Sequence, residues 1–367
     1  MGKIRADHVG SLLRPRALLD ARAAHGRGDL SGEALTAAED QAILDVLDLQ
    51  KSAGVEILSD GEFRRESWLG GLYDAAEGLV AGTPRAFAGM WRGPGAAEAN
   101  EELPIPALAA DRRLKLRRRI TGAETAFLGR RSPGPFKITM PGPTMYLSLF
   151  RPGVSEPAYA DSQALLDDLV AIYQDEVEAQ VDDGAAYIQL DSLRYTHIIG
   201  HRTDMLGDIT PQAAMKAAID SDNAVLARAK AKGAVTAVHM CRGNHRSAWA
   251  AQGGYDAVAE TLFPQIQADR LLLEFDDERS GGFEPLRFVP KGKTVVLGLI
   301  TTKTPQLEDQ DLLRRRIDEA AKYVDLDDLA LSPQCGFAST YLGNLLTEDD
   351  EKRKLELVAQ TARKVWN

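Results

Sequence analysis

The sequence predicts an α/β protein built as a single (β/α)8 (TIM) barrel. Two regularities of its 367 residues predict this fold. Short apolar runs rich in β-branched residues alternate with longer helical patterns, which is typical of parallel strands joined by helical crossovers. The strand pattern occurs eight times along the chain. Eight repeats favour a closed barrel over an open sheet.

The predicted elements follow one another along the chain. The strands are expected at residues 4–9, 55–59, 136–140, 186–191, 235–241, 271–275, 294–299 and 329–332. Helical periodicity is found at residues 33–53, 161–183, 211–232, 255–267, 306–324 and 349–365. The first of these helices has two candidate N-caps, because Ser31 precedes Glu33 and Thr36 precedes Glu39.

One stretch, residues 79–135, departs from the alternation. It is rich in Gly, Pro, Arg and Ala, and we expect it to be an insertion between strands two and three of one domain spanning residues 1–367. It contains the basic run RRLKLRRR at 112–119. Two interpretations of this run stand, a solvated amphipathic segment or an anion-attracting lid or subunit contact. The insertion is therefore the candidate contact of a homodimer.

Composition and charge exclude several classes of function. The chain has 54 acidic and 44 basic residues and a formal net charge of −10, so it is a poor candidate for nucleic-acid binding. No window approaches the roughly eighteen apolar residues of a membrane span, and the first residues lack the apolar core of a signal peptide. Two cysteines in a chain of this length argue against a disulfide framework. We therefore expect a cytoplasmic protein with reduced thiols.

Both cysteines lie in segments that suit a metal. Cys241 follows His239 by two residues at the end of strand five, Glu274 lies at the end of strand six, and Cys335 follows strand eight. One imidazole, two thiolates and one carboxylate form a ligand set for Zn²⁺, and barrel enzymes place their chemistry at this strand end. Each residue also has a plainer interpretation. His-x-Cys occurs by chance, Glu274 lies in an acidic segment, and Cys335 suits a small buried apolar position. Within the set, Glu274 is the ligand that a substrate would displace most easily.

The chain resembles the cobalamin-independent methionine synthase family over nearly its whole length. The resemblance is to the zinc-bearing C-terminal barrel and to the short, single-barrel members. The matching motifs are HMC at 239–241, LE at 273–274 and PQCG at 333–336. The resemblance implies a zinc ion held by these His, Cys and Glu residues. It also implies a thiol substrate bound at that zinc and a methyltransferase of methionine biosynthesis.

Three further positions carry over from the same family. The segment VGS, which ends at Ser11, resembles the family's segment that holds the amino-acid carboxylate of the substrate. The segments DGE, ending at Glu62, and QLD, ending at Asp191, resemble those whose carboxylates contact the ammonium of homocysteine. The plainer interpretations are a tight turn for the first and solvated carboxylates for the other two.

The sequence also departs from the long members of that family. It is about half as long and lacks a counterpart of their N-terminal barrel, which helps to bind polyglutamylated folate. The segment GLITTK at 298–303 has no His where the long members carry a proton donor, and Asp191 is followed by Ser192-Leu193 rather than acidic and proline residues. Arg242 and Arg246, just after the HMC motif, suit a carboxylate, phosphate or sulfonate. Short relatives include epoxyalkane:coenzyme M transferases, whose thiol is sulfonated.

Three functional hypotheses follow. In the first, a zinc-dependent thiol S-methyltransferase uses the zinc thiolate of homocysteine or a similar small thiol to attack a methyl donor. That donor is of the 5-methyltetrahydrofolate type or is methylcobalamin, and the two carboxylates favour this hypothesis. The second is a zinc thiol alkyltransferase or lyase acting on an anionic thiol, which the two arginines favour. The third is a zinc-stabilised barrel that catalyses nothing. Candidate proton donors to the leaving group are Asp191, His197 and His201.

Overall fold

The computed structural model describes residues 3–82, 90–101, 107–202 and 209–366. The strands are β1 (Ala76–Ala81), β2 (Leu108–Leu116), β3 (Lys137–Pro141), β4 (Tyr187–Asp191), β5 (Val235–Met240), β6 (Arg270–Glu274), β7 (Thr294–Ile300) and β8 (Leu329–Pro333). The α-helices are α1 (Arg16–Gly26), α2 (Gly32–Ala53), α3 (Gly70–Ala75), α4 (Ala96–Glu101), α5 (Gly122–Arg131), α6 (Ser162–Asp182), α7 (Arg194–Ile199), α8 (Pro211–Ala231), α9 (Asp256–Gln265), α10 (Gln310–Ala320) and α11 (Glu348–Trp366).

The strands β3 to β8 form a parallel sheet in which each strand pairs with the next along the chain. They confirm predicted strands three to eight to within one residue at either end. Every residue of β3, β4, β6 and β8 is buried. Burial on both faces is expected of a parallel sheet with helices outside it, and it explains why these runs are almost continuously apolar.

Two irregular segments close this sheet into a barrel. The segment 4–9 lies beside β8, with Asp7 N–H donating to Leu331 O at 2.9 Å and forming a parallel bridge at Ala6. The segment 55–59 lies between that segment and β3. Its Glu56 N–H donates to Ala6 O at 3.0 Å, and Lys137 N–H donates to its Leu58 O at 2.8 Å. The first two predicted barrel strands therefore pair through isolated bridges, and the predicted TIM barrel is confirmed.

The barrel interior is apolar in the middle and polar at one side. A small buried cluster gathers inward side chains from most of the barrel strands, namely Ile4, Val9, Ile57, Tyr187, Ala237, Leu272, Val296 and Ala330. Strand β3 contributes none of them. Its Lys137 and Thr139 instead hydrogen-bond to polar side chains of neighbouring segments. The larger core lies between the strands and the surrounding helices.

The helix α2 begins where one of the two predicted caps stands. Ser31 accepts a hydrogen bond from Ala34 N–H at 3.2 Å, whereas Thr36 lies inside the helix and donates to Gly32 O. The helix ends at Gly54, whose φ of 87° is readily adopted only by glycine. Among the helices of the described residues, none is long and apolar enough to cross a membrane.

The stretch between the second segment and β3 contains elements that periodicity did not predict. The strands β1 and β2 pair antiparallel, and α5 follows them before β3. Parts of residues 79–135 lie outside the described residues. The basic run lies on and after β2, where Arg113 pairs with Asp168 at 2.8 Å and Arg119 with Asp183 at 2.6 Å. Acidic residues on or next to α6 thus offset part of its charge.

Candidate metal centre and substrate cavity

Four predicted ligands meet at the carboxyl ends of the strands. One donor atom each from His239, Cys241, Glu274 and Cys335 lies within 4.8 Å of the other three, and all four residues are buried. The two sulfur atoms are 3.3 Å apart. Residues 239 and 241 are brought to one side by the alternation of β5, and Glu274 ends the neighbouring strand. The arrangement offers the nitrogen, sulfur and oxygen donors that Zn²⁺ accepts.

The imidazole of His239 is oriented by the main chain. Its Nδ1 lies 3.3 Å from Leu272 O, and a carbonyl can only accept, so Nδ1 carries the proton. Its Nε2 is buried without a hydrogen-bond partner among the described residues. A histidine held through one nitrogen with the other free is the usual arrangement of a metal ligand.

Main-chain donors also hold the acidic ligands. Gly243 N–H donates to Cys241 Sγ at 3.1 Å. Arg242 N–H donates to Glu274 Oε1 at 2.7 Å, and the Arg279 guanidinium lies 3.5 Å from Glu274 Oε2. Glu274 therefore has charged and neutral donors of its own beside the cluster, which would compensate its charge if a substrate displaced it from a metal.

Burial and mutual contact set the protonation of these groups. Burial raises the pKa of Glu274 to about 7, and the nearby Cys335 sulfur adds to the effect. The hydrogen bond between the sulfurs raises the pKa of Cys241 and lowers that of Cys335, which makes Cys335 the thiolate of the pair. Burial lowers the pKa of His239, but Cys335 and the neighbouring carboxylates outweigh it and raise the pKa to about 9. A divalent cation at this point would favour the ionised form of all three acidic ligands.

A cavity opens beside the cluster and brings together six of the predicted site residues with new ones. It is lined by Val9, Ser11, Glu62, Trp68, Trp91, Asp191, Leu193, His239, Cys241, Gly243, Asn244, Cys335, Gly336 and Ser339. Glu274 lies behind the ligands, fully buried. The predicted substrate residues Ser11, Glu62 and Asp191 thus face the same space as the metal-ligand donors.

Glu62 is held in a conformation that only a constrained loop imposes. Its φ is +62°, directly after Gly61 at +68°, and its N–H donates to Asp60 Oδ1 at 2.9 Å. A left-handed conformation costs a non-glycine residue about 1–2 kcal/mol. Thr139 donates to Glu62 Oε1 at 2.7 Å, while Oε2 is buried without a partner among the described residues. Burial raises the pKa of Glu62. Strain and an unpaired buried oxygen are features of a ligand-binding carboxylate.

Asp191 is the second carboxylate of the cavity. It ends β4 directly opposite His239 in register. Gln189 donates to its Oδ1 at 2.8 Å. Burial raises the pKa of Asp191 to about 7, with His239 opposing the shift. The other candidate proton donors, His197 and His201, are not among the described residues that line the cavity.

Ser11 contacts the segment that carries Cys335. Its carbonyl accepts from Phe337 N–H at 2.9 Å. A Cβ at Gly336 would lie 1.9 Å from Ser11 Oγ and 3.1 Å from its Cβ, so a larger residue at 336 would displace the Ser11 side chain. The glycine of the PQCG motif therefore allows the first and last barrel segments to meet at the metal ligand.

The two predicted arginines are placed differently. Arg242 is 1% exposed, donates through Nη1 to Gly253 O and lies 4.5 Å from the centre of the Tyr255 ring. Its guanidinium thus contacts the 253–255 loop, and its contribution near the metal ligands is the main-chain N–H given to Glu274. Arg246 has a φ of +49°. Neither residue is among the described residues that line the cavity.

Sequence reasoning missed several residues of this region. Trp68 and Trp91 form aromatic parts of the cavity wall, and Asn244 bonds to Gly336 O at 2.8 Å and receives a hydrogen bond from Lys303 at 3.1 Å. The tryptophans carried a signal, since large aromatic residues near glycine-rich loops often line ligand sites. Lys137 could also have been noticed in the sequence, because a lysine inside an otherwise apolar strand is rare unless it is paired.

Comparison with known proteins identifies the family and the fold. The family model of the cobalamin-independent synthase catalytic domain matches residues 138–348, which is more than half of the chain. The uncharacterized protein YxjH of Bacillus subtilis (strain 168) is 38% identical over 378 residues, covering 99% of this chain and 94% of the relative. The matched residues include the five complete barrel strands β4 to β8 and all four predicted metal ligands.

Solved structures are similar over the whole barrel. The putative vitamin-B12 independent methionine synthase from Listeria monocytogenes superposes with a TM-score of 0.75 at 27% identity, covering 99% of this chain and 98% of that chain. A B12-independent methionine synthase from Shewanella sp. W3-18-1, in complex with selenomethionine, gives a TM-score of 0.73 at 19% identity with the same coverage, a likeness of fold. The chain therefore belongs to the cobalamin-independent methionine synthase family.

Proposed function

We propose that this protein is a zinc-dependent thiol S-methyltransferase whose acceptor is homocysteine or a closely similar amino-acid thiol. The observation that carries the proposal is that a four-donor cluster and two carboxylates face one cavity. The donors suit the sulfur end of such a substrate, and the carboxylates Glu62 and Asp191 suit its ammonium end.

The metal would be held by His239, Cys241, Cys335 and Glu274. The unpaired, buried Nε2 of His239 and the mixed nitrogen, sulfur and oxygen donor set support zinc. When bound, zinc would supply the positive charge that keeps a ligated thiol deprotonated at neutral pH, where most of a free thiol is protonated. Glu274 is the exchangeable ligand, because Arg242 N–H and the Arg279 guanidinium already stabilise its carboxylate beside the cluster.

The amino-acid end of the substrate would lie between Glu62 and Asp191. Each carboxylate has one oxygen held by a donor from inside the barrel, Thr139 for Glu62 and Gln189 for Asp191. The second oxygen of Glu62 is buried without a hydrogen-bond partner among the described residues, and the ammonium group of the substrate would supply the missing donor. Ser11, which lines the same cavity, would donate to the substrate carboxylate. Holding both ends fixes the sulfur for displacement at the methyl group, and orientation of this kind accounts for several powers of ten in rate.

The alternative of a sulfonated acceptor gains no support from the arginines. Arg242 directs its guanidinium to Gly253 O and the Tyr255 ring. A sulfonated thiol would instead meet two carboxylates of the same sign. The methyl donor is a second substrate, and we propose 5-methyltetrahydrofolate or methylcobalamin for this role.

Thiol counting and metal analysis test the metal site directly. The chain contains only two cysteines, and both are proposed ligands. One zinc per chain should protect both thiols from a chromogenic disulfide reagent, and removing zinc should expose two. His239→Ala should lose zinc, whereas His25→Ala, at an exposed histidine of α1, should keep it. Two reactive thiols in a zinc-loaded protein would contradict the ligand assignment.

Calorimetry identifies the acceptor. Zinc-loaded protein should bind homocysteine more tightly than 2-mercaptoethanesulfonate or 3-mercaptopropionate, and a zinc-edge X-ray absorption spectrum should gain one sulfur neighbour on binding. Methyl transfer is then assayed with each of the two donors. Tighter binding of the sulfonate, or no new sulfur neighbour with any thiol, would refute the proposed acceptor.

A further inference from the structure

A buried network of hydrogen bonds lies beneath Asp191 inside the barrel. Gln189 donates through Nε2 to Asp191 Oδ1 at 2.8 Å and to Val9 O at 2.7 Å. Its Oε1 accepts from Lys137 Nζ at 2.9 Å. Lys137 also donates to Asp7 Oδ1 at 2.9 Å and to a main-chain carbonyl. Asp191 is thus connected, through the Gln189 side chain, to the buried Lys137–Asp7 ion pair one layer deeper.

The chemistry of Lys137 fixes the direction of every bond in this network. An ammonium has three donors and no acceptor, so it can face only the oxygen of the Gln189 amide. The amide nitrogen must then point towards Asp191 and Val9 O. Asp191 Oδ1 therefore accepts the hydrogen bond from Gln189 Nε2, and Oδ2 is the oxygen available to a substrate in the cavity.

The deeper layer holds Lys137 in position. Asp7 Oδ2 also accepts from Arg270 at 3.2 Å and from Tyr187 at 3.1 Å. Two cations, Lys137 and Arg270, therefore contact one carboxylate. All these groups are at least nine-tenths buried. The contact with Asp7 holds the Lys137 ammonium beside Gln189, so the orientation of the amide is fixed.

We infer that Lys137 and Gln189 are positioning residues which hold Asp191 as a hydrogen-bond acceptor, with its second oxygen directed to the substrate, and so make the cavity selective for thiols that carry an ammonium group. The inference rests on the proposed function, since it takes Asp191 to contact the substrate. Without Lys137, the Gln189 amide can turn its oxygen towards Asp191, and the carboxylate loses its donor.

The test compares two thiols that differ only in the ammonium group, L-homocysteine and 4-mercaptobutyrate, by calorimetry on zinc-loaded protein. Wild-type protein should prefer homocysteine. Lys137→Met should reduce this preference at least tenfold without lowering affinity for 4-mercaptobutyrate or zinc content. Gln189→Leu should have the same effect, and it keeps the Lys137–Asp7 pair in case the first variant folds poorly. If the two residues had only a structural role, the variants would lose affinity for both thiols to the same extent.

Arg270→Met is the matched control. It removes a buried cation from the same layer, but Arg270 donates to Ile4 O and Asp7 rather than to Gln189, so the preference for homocysteine should change less than threefold. A wild-type preference that survives in both Lys137→Met and Gln189→Leu would overturn the inference and leave the proposed function standing. Wild-type protein that binds the two thiols equally would overturn both.

Discussion

Gly298 offers a test of how tightly the metal ligands are packed. It lies on β7, paired in register with Glu274, and a Cβ there would be 2.7 Å from the Gln334 Cα and 2.8 Å from Leu273 O. Ordinary contact begins at 3.4 Å, so Gly298→Ala must separate the backbones by about 0.7 Å. Because both atoms are main chain, no rotamer change relieves the clash. Overpacking of this kind costs about 3 kcal/mol, at the upper end of the usual range.

This cost translates into measurable changes. For 367 residues the entropy of unfolding is roughly 0.8 kcal/mol/K, so Tm should fall by about 4 °C. Gln334 directly precedes the ligand Cys335, and we expect zinc affinity, measured by competition with a chelator, to fall roughly tenfold. Gly26→Ala is the control, since nothing lies within 4 Å of its added methyl group. If Gly298→Ala has the same Tm and the same zinc affinity as the wild type, the packing argument is wrong.

Three further predictions concern pH, a main-chain clamp and the support of Glu62. Burial raises the pKa of Glu351 to about 8, so its stabilising contribution is complete below its ordinary pKa and is lost as pH rises through 8. Glu351→Gln keeps an acceptor for Leu13 N–H and should match the wild-type Tm at pH 4 but exceed it at pH 9. Arg14 donates to four main-chain carbonyls, those of Glu62, Arg65, Ala338 and Thr340. Arg14→Met should therefore lower the free energy of unfolding, measured with denaturant, by about 3 kcal/mol. Arg16→Met, at an exposed arginine, should change it little. Thr139→Val removes the donor to Glu62 Oε1 and should weaken homocysteine binding about tenfold in calorimetry while zinc content stays the same; equal binding would refute that role.

Much of the fold could be predicted because it is encoded locally. Alternation of apolar runs and helical periodicity identified the strands β3 to β8, and a serine before the apolar pattern identified the start of α2. The sequence missed α1, α5 and the β1–β2 pair, since a short helix with a weak apolar face and a strand of basic residues have little periodic signal. Their positions depend on contacts with segments distant in the chain.

The candidate metal ligands could be proposed from the sequence, whereas their supports could not. Strand ends in a parallel barrel converge on one face, so the positions of His239, Cys241, Glu274 and Cys335 implied proximity before any coordinate was known. The direction of a side chain is a different matter. Arg242 follows the HMC motif as a basic residue near a metal should, yet its guanidinium lies against Tyr255.

The sequence by itself determined the barrel, the donor types at its carboxyl face and the resemblance to the methionine synthase family. Those properties follow from periodicity and from residues near one another along the chain. Only the tertiary structure decided that Gly336 lies against Ser11, that isolated bridges close the barrel, and that Lys137 reaches Asp191 through Gln189. Each of these joins residues dozens to hundreds of positions apart or depends on a buried rotamer. Packing selects such contacts because a buried polar group without its partner is too costly to retain.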